Sequence, residues 1–159
     1  MTFLSKLGRT SRLDFVIGVV FLGLIASSAK AGLSYAFFGY APLSFDIGLM
    51  LPVRDPFAYP GFVFLALGVA HDLCLLVLII RRLHAMNRPA YWGLAVFAAI
   101  FGLGYVWPMG GLIIYVGAIL ALIFKSGTIG PNDFGADPKG WTSLEEYEAQ
   151  KERLKSGNV

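Results

Sequence analysis

The stretch LIIRRLHAMNRPAYW (78–92) sets Arg81, Arg82, His84 and Arg88 where a long apolar run ends. Arginine forks suit phosphate oxygens, and on a continuing helix Arg81, His84 and Arg88 would share one stripe, at i, i+3 and i+7. A protonated His84 would strengthen such a site. The segment GRTSRLDF (8–15) adds Arg9 and Arg12, and an anionic membrane leaflet rewards each such cation by about 1 kcal/mol. The ligand class these residues suggest is a lipid phosphate. The simpler role for the same charges is to set topology and anchor a helix end. Catalysis would need a nucleophile and a base held together, and the chain shows no such pair.

A second group lies inside apolar sequence. His71 and Asp72 fall near the centre of a hydrophobic run, where ionisable residues are costly and are functional candidates by default. They suit either a buried structural contact or one station of a proton-linked transporter. Lys30 also interrupts an apolar run. Depth counted from the inner ends of the two spans puts Lys30 about 24 Å up and Asp72 about 12 Å up. On that count Lys30 snorkels to the outer interface and does not pair with Asp72. Ser11 and Asp14 have capping-box-like spacing, and Asp14 is expected to latch onto Arg81 or Arg82 as an ion pair. No metal site is expected from two histidines and one cysteine, no cofactor motif is present, and Cys74 reads as a small packing residue.

The elements that must position these groups follow from composition. Of 159 residues, 57% are hydrophobic and 14% charged, against about 45–50% and roughly 25% in soluble proteins. Mean hydropathy is +0.68, so lipid is the expected solvent. The net charge of +3 is modest, and its placement matters more than its size; no nucleic-acid partner is expected. Four spans are expected over 14–38, 61–80, 90–107 and 109–125, each near the ~17–25 residues that cross a bilayer. Continuous apolar runs favour helices over a membrane barrel. A basic start followed by Ala29-Lys30-Ala31 imitates a cleavable signal, but the apolar run resumes from Leu33 to Phe38, which favours a retained span.

Lys6, Arg9 and Arg12, then Arg81, Arg82 and Arg88, then the basic tail fall on one side of such a bundle, with Arg54 alone on the other. The positive-inside pattern makes both termini cytoplasmic. Tyr40, Tyr59, Tyr105 and Trp107 would mark the outer interface, Tyr91 and Trp92 the inner one. Small-residue pairs Ser28/Gly32, Ala66/Ala70, Ala98/Gly102 and Gly117/Ala121 are expected to let helices approach. The proline-rich, apolar loop 41–60 is expected to lie on the membrane surface. After the last span, KSGTIGPNDFGADPKGW should form successive turns, and Ser143 to Glu146 reads as a capping box opening a charged helix to about Lys155.

GRTSRLDF resembles GRxSRxEFW, RRLHAMNRPAYW resembles RRLHDxGRSGWW, and GTIGPNDFGADP resembles GTxGxNxYGxDP. Together these motifs resemble the YhaH-like small bacterial inner-membrane proteins, a domain-of-unknown-function family. The resemblance covers 8–138 and implies a bacterial inner-membrane location with no established activity. Ala85 stands where that pattern has aspartate, and Asn87, Pro89 and Ala90 also depart from it.

The combined expectation is an all-α integral membrane bundle, with a four-span domain at 1–125 and a cytoplasmic tail at 126–159. Arg9, Arg12, Arg81, Arg82, His84, Arg88 and the Asn132 turn would gather at its cytoplasmic face. The expected role is a non-catalytic scaffold or accessory protein binding anionic lipid or a protein partner, with homo-oligomers allowed. The alternative is a small proton-linked transporter, or a subunit of one, using His71 and Asp72.

Overall fold

The computed structural model describes residues 7–39 and 61–156. The loop 41–60, with Arg54 and Tyr59, lies outside the described residues, as do Lys6 and Tyr40. Among the described residues five helices form: α1 (Arg12–Phe38), α2 (Gly61–Ala85), α3 (Tyr91–Val106), α4 (Pro108–Phe124) and α5 (Leu144–Ser156). Among the described residues there is no strand, only an isolated backbone bridge between Asn132 and Gly135. The fold is all-α.

Two helices, α1 with 27 residues and α2 with 25, are long and apolar enough to cross a membrane. α3 and α4 are apolar but shorter, at 16 and 17 residues. At about 1.5 Å per residue they reach roughly 24–26 Å. They part at Trp107, whose extended backbone lets Pro108 open α4 at its first position, where a missing N–H costs nothing. Large apolar side chains point outward from the long helices: Phe21 is 62% exposed and Leu73 58%. A surface of that kind suits lipid better than water.

The chain divides into two compact units. One comprises Val16–Leu78, the greater part of α1 and α2. There Gly18 meets the Leu78 side chain, and the Phe64 ring lies 6.5 Å from that of Phe37 and 6.3 Å from that of Phe38. The two helices therefore run antiparallel with a defined register. Cys74, expected as a packing residue, is exposed, because it lies off the face that buries Phe64, His71 and Leu75.

The other unit comprises Met1–Phe15 with Ile79–Val159. α3 and α4 cross closely through Gly104 and Gly111. The expected small-residue pairs are not what brings them together. A Cβ on Gly102 or Gly117 would meet nothing within 4 Å, and the same holds for Gly32 in α1. Small residues permit close approach only where a neighbouring helix faces them, and spacing alone does not say where that is. Ser143 Oγ accepts the Glu146 N–H as the α5 capping box requires, but the Glu146 carboxylate reaches back to the Thr142 N–H rather than to that of Ser143.

Candidate functional site: a polar junction at three helix ends

The junction is built where α1 begins and where α2 and α4 end. Ser11 caps α1, its Oγ accepting from the Asp14 N–H at 3.1 Å and donating to the Asp14 carboxylate at 2.6 Å. Asp14 is thus held by the cap, not by the expected ion pair with Arg81 or Arg82. It sits three residues past a serine that needs an acceptor, whereas Arg82 is turned toward backbone carbonyls.

α2 stops through a left-handed cap. The Arg88 N–H bonds back to the Leu83 carbonyl at 2.9 Å and the Asn87 N–H to that of His84 at 3.0 Å, with Asn87 at φ 56°. This is the Schellman arrangement, whose central position takes glycine or, next best, asparagine. Asn87 stands where the resembled motif has glycine and takes the left-handed conformation that the turn requires. The stop also corrects the expected stripe. Arg88 lies past the helix and is exposed, so it does not share a face with Arg81 and His84.

Arg82 is 2% exposed and acts as a clamp. Its Nε donates to the Leu122 carbonyl at 2.9 Å, and its terminal nitrogens donate to those of Lys125 at 2.6 Å and Thr10 at 3.3 Å. The last-turn carbonyls of a helix lack partners within the helix and carry its negative pole, so a buried guanidinium there satisfies both. Arg9, 7% exposed, does the same for the tail. It donates to the carbonyls of Gly130 at 2.7 Å, Gly135 at 3.1 Å and Thr128 at 2.7 Å, and to Thr128 Oγ1 at 3.1 Å. Burial lowers the Arg9 pKa from its ordinary value and nearby Asp137 opposes that. The guanidinium stays charged at neutral pH. Arg81 reaches the Arg9 carbonyl at 3.4 Å, while its own carbonyl accepts the Thr10 N–H.

His84 is fully buried, its ring stacked on Phe134 at 4.0 Å and 5°. Its Nδ1 lies 3.2 Å from the Gly8 carbonyl, which can only accept, so Nδ1 carries the proton. Nε2 is buried without a partner. Asn132 donates to the His84 carbonyl at 2.8 Å and to Thr128 Oγ1 at 3.0 Å, and its Oδ1 accepts the Phe134 N–H. Gly127 presses so closely on the Ala85 carbonyl that a Cβ there would lie 2.7 Å from it. Asp137 accepts the N–H groups of Gly130 and Lys139, both at 2.8 Å.

Beside this network lies a cleft of 340 Å³, whose lining includes Arg9, Arg12, Arg82, Thr128, Lys139 and Trp141. Arg12 and Lys139 are exposed. The junction thus unites Arg9, Arg81, Arg82, His84 and Asn132, adds Arg12 at the cleft, and leaves Arg88 outside. Thr128, Asp137 and Phe134 belong to it although reading by residue type passed over them; the signal was the GTIGPNDFGADP motif. His71 and Asp72 lie in the other unit, their side chains 3.0 Å apart, Nδ1 to Oδ1. Among the described residues there is no group of three or more His, Cys, Asp or Glu fit to hold a metal.

A family model described as "Protein of unknown function (DUF805)" matches residues 3–136, most of the chain. No curated protein and no solved structure matches it.

Proposed function

Because the chain belongs to that family of unknown function, we propose from its own geometry that it is a non-catalytic accessory protein of the bacterial inner membrane whose cytoplasmic cleft binds the phosphate of an anionic lipid. In this reading α1 to α4 all span, both termini are cytoplasmic, and the YhaH-like resemblance carries over. Three helix ends meeting on one polar junction support that topology. An up-down bundle of four spans returns the start of its first helix and the ends of its second and fourth to the same side. Outward apolar surface on α1 and α2 supports lipid around them.

One observation carries the ligand reading: Arg12 and Lys139 are exposed at a cleft of 340 Å³ whose buried arginines, Arg9 and Arg82, are held by carbonyls. The buried pair fixes the walls and contributes positive field, while the exposed pair is placed to bind. The earlier assignment of Arg82 and His84 as direct phosphate ligands gives way to this division. Trp141, packed edge-on to Tyr147 at 5.5 Å, lines the same cleft.

Native mass spectrometry in mixed-lipid nanodiscs tests the proposal with Arg12→Ala/Lys139→Ala, which spares both clamps. Two such cations contribute about 2 kcal/mol at an anionic surface, so selective retention of anionic lipid should fall roughly 30-fold. Equal retention by folded wild type and variant would remove lipid as the ligand and turn attention to a protein partner at the same face.

A further inference from the structure

The turn 130–137 covers the end of α2, and the two meet on His84. The imidazole is fully buried and stacked face to face on Phe134, at 4.0 Å between ring centres and 5° between planes. The Asn132 amide donates to the His84 carbonyl at 2.8 Å, and the Thr128 N–H donates to that of Ala85, also at 2.8 Å. Carbonyls in the last turn of a helix need partners from outside it, and the tail supplies them.

One ring nitrogen of His84 is satisfied and the other is not. Nδ1–H donates to the Gly8 carbonyl at 3.2 Å, while Nε2 is buried with no hydrogen-bond partner. A neutral ring tolerates this, because a buried lone pair without a donor costs less than a charged N–H without an acceptor. Protonation at Nε2 reverses the balance, placing a positive charge and a second N–H where water does not reach. The surrounding charges add to the cost. The segment 8–11 carries Arg9, and α2 carries Arg81 and Arg82 beside His84. Arg12 and Lys125, at the ends of α1 and α4 that meet here, have the same sign. On the tail, the Asp137 carboxylate is taken by the N–H groups of Gly130 and Lys139, and Asp133 is exposed. Among the described residues no carboxylate bonds to His84. The ring lies past the apolar run 61–80, and burial pushes its pKa below the ordinary value of 6.5, with the Gly8 carbonyl opposing.

We propose that His84 is an acid-labile latch on the tail: a solvent proton on Nε2 releases the turn 130–137 from the end of α2. Phe134 must leave the ring before the new N–H can reach water, and Asn132, two residues earlier, moves with it. The closed turn favours the neutral ring, so the latch is whole above about pH 6.5 and weakens as pH falls below that value. Each unit of acidification favours the open turn by about tenfold, until the closed state itself takes the proton. The turn leads into Lys139 and Trp141, which line the cleft, so acid also loosens that wall. This last consequence rests on the lipid reading of the cleft, whereas the latch does not.

The experiment is amide hydrogen exchange of the full-length protein between pH 7.5 and 5, in nanodiscs of zwitterionic lipid, which keeps it apart from anionic-lipid binding. Protection is taken relative to the intrinsic rate at each pH. In wild type, peptides covering 127–137 should lose about 30-fold in protection across this range, while those of α3 and α4 keep theirs. His84→Asn retains an amide donor near the Nδ1 position and has nothing to titrate there. Its turn should be less protected than wild type, and equally so at every pH. Phe134→Leu uncovers the ring, so its fall in protection should shrink below about threefold. Wild-type protection that stays constant with pH overturns the latch, as does a parallel loss across α3 and α4, which would be general unfolding. An undiminished fall in either variant also overturns it, by assigning the effect to other groups.

Discussion

Arg82→Ala should lower the unfolding temperature of the detergent-solubilised protein by about 10 °C. The substitution removes three hydrogen bonds from one charged donor, to the carbonyls of Leu122, Lys125 and Thr10. Bonds to charged groups contribute about 1.5–3 kcal/mol each, though shared donors are not additive. A total loss of at least about 3 kcal/mol is therefore expected, and at this chain length each kcal/mol moves the transition by roughly 2–4 °C. The loss is concentrated because Arg82 joins the end of α2 to the end of α4 and to the segment before α1. Arg82→Lys keeps the charge, but a point-like ammonium does not reach three separated carbonyls, so it should recover only part of the stability. Arg88→Ala, at an exposed position beyond the helix stop, should stay within about 0.5 kcal/mol of wild type. If Arg82→Ala and Arg88→Ala melted alike, the clamp would be dispensable and the junction would need another source of cohesion.

The second large effect is expected at the α3–α4 crossing and is asymmetric. A Cβ on Gly111 would lie 2.6 Å from Gly104 Cα and 3.0 Å from both Gly104 N and the Ile100 carbonyl oxygen. Every obstructing atom is backbone, so no side chain can swing aside and the helices themselves must separate. Overpacking of this kind costs about 1–3 kcal/mol, and Gly111→Ala should reach the upper end of that range. Viewed from the other helix, a Cβ on Gly104 would meet Gly111 Cα at 3.7 Å, an ordinary contact. Gly104→Ala should therefore be nearly neutral, or slightly stabilising through the roughly 1 kcal/mol by which alanine exceeds glycine in helix propensity. Thermal unfolding of the two variants side by side decides the matter. Equal penalties would mean that the hairpin is not held by this close approach.

Much of the fold was legible because burial in lipid and burial in a core both demand long apolar runs. The four expected runs became α1 to α4 with edges displaced by a few residues. α2 extended furthest, from the expected stop at 80 to Ala85. The run loses its apolar character at Arg81, but a helix stops only where its backbone finds a cap, here at Asn87. Legibility failed where pairing depends on orientation. Arg81 and Arg82 are neighbours of one type, yet Arg82 is buried among carbonyls and Arg81 is not. A helix turns about 100° per residue, so which of two adjacent arginines faces inward is decided by the packing of the whole helix. The clustering of the three motif segments was expected from topology, whereas the use of Arg9 and Arg82 as carbonyl clamps was not. Carbonyls belong to every residue, and no side-chain pattern announces which of them lack a partner.

The most direct measurement of the central claim is which side of the membrane the junction faces. In a Cys74→Ser background, single cysteines replace Ser126, beside the cleft, and Met109, at the α3–α4 turn, and each is treated with a membrane-impermeant maleimide in intact spheroplasts and in inverted vesicles. The account predicts that position 126 reacts only in inverted vesicles and position 109 only in spheroplasts. Reaction of both positions from the same side would contradict it, because α4 would then fail to cross and the cleft would lose its assigned face.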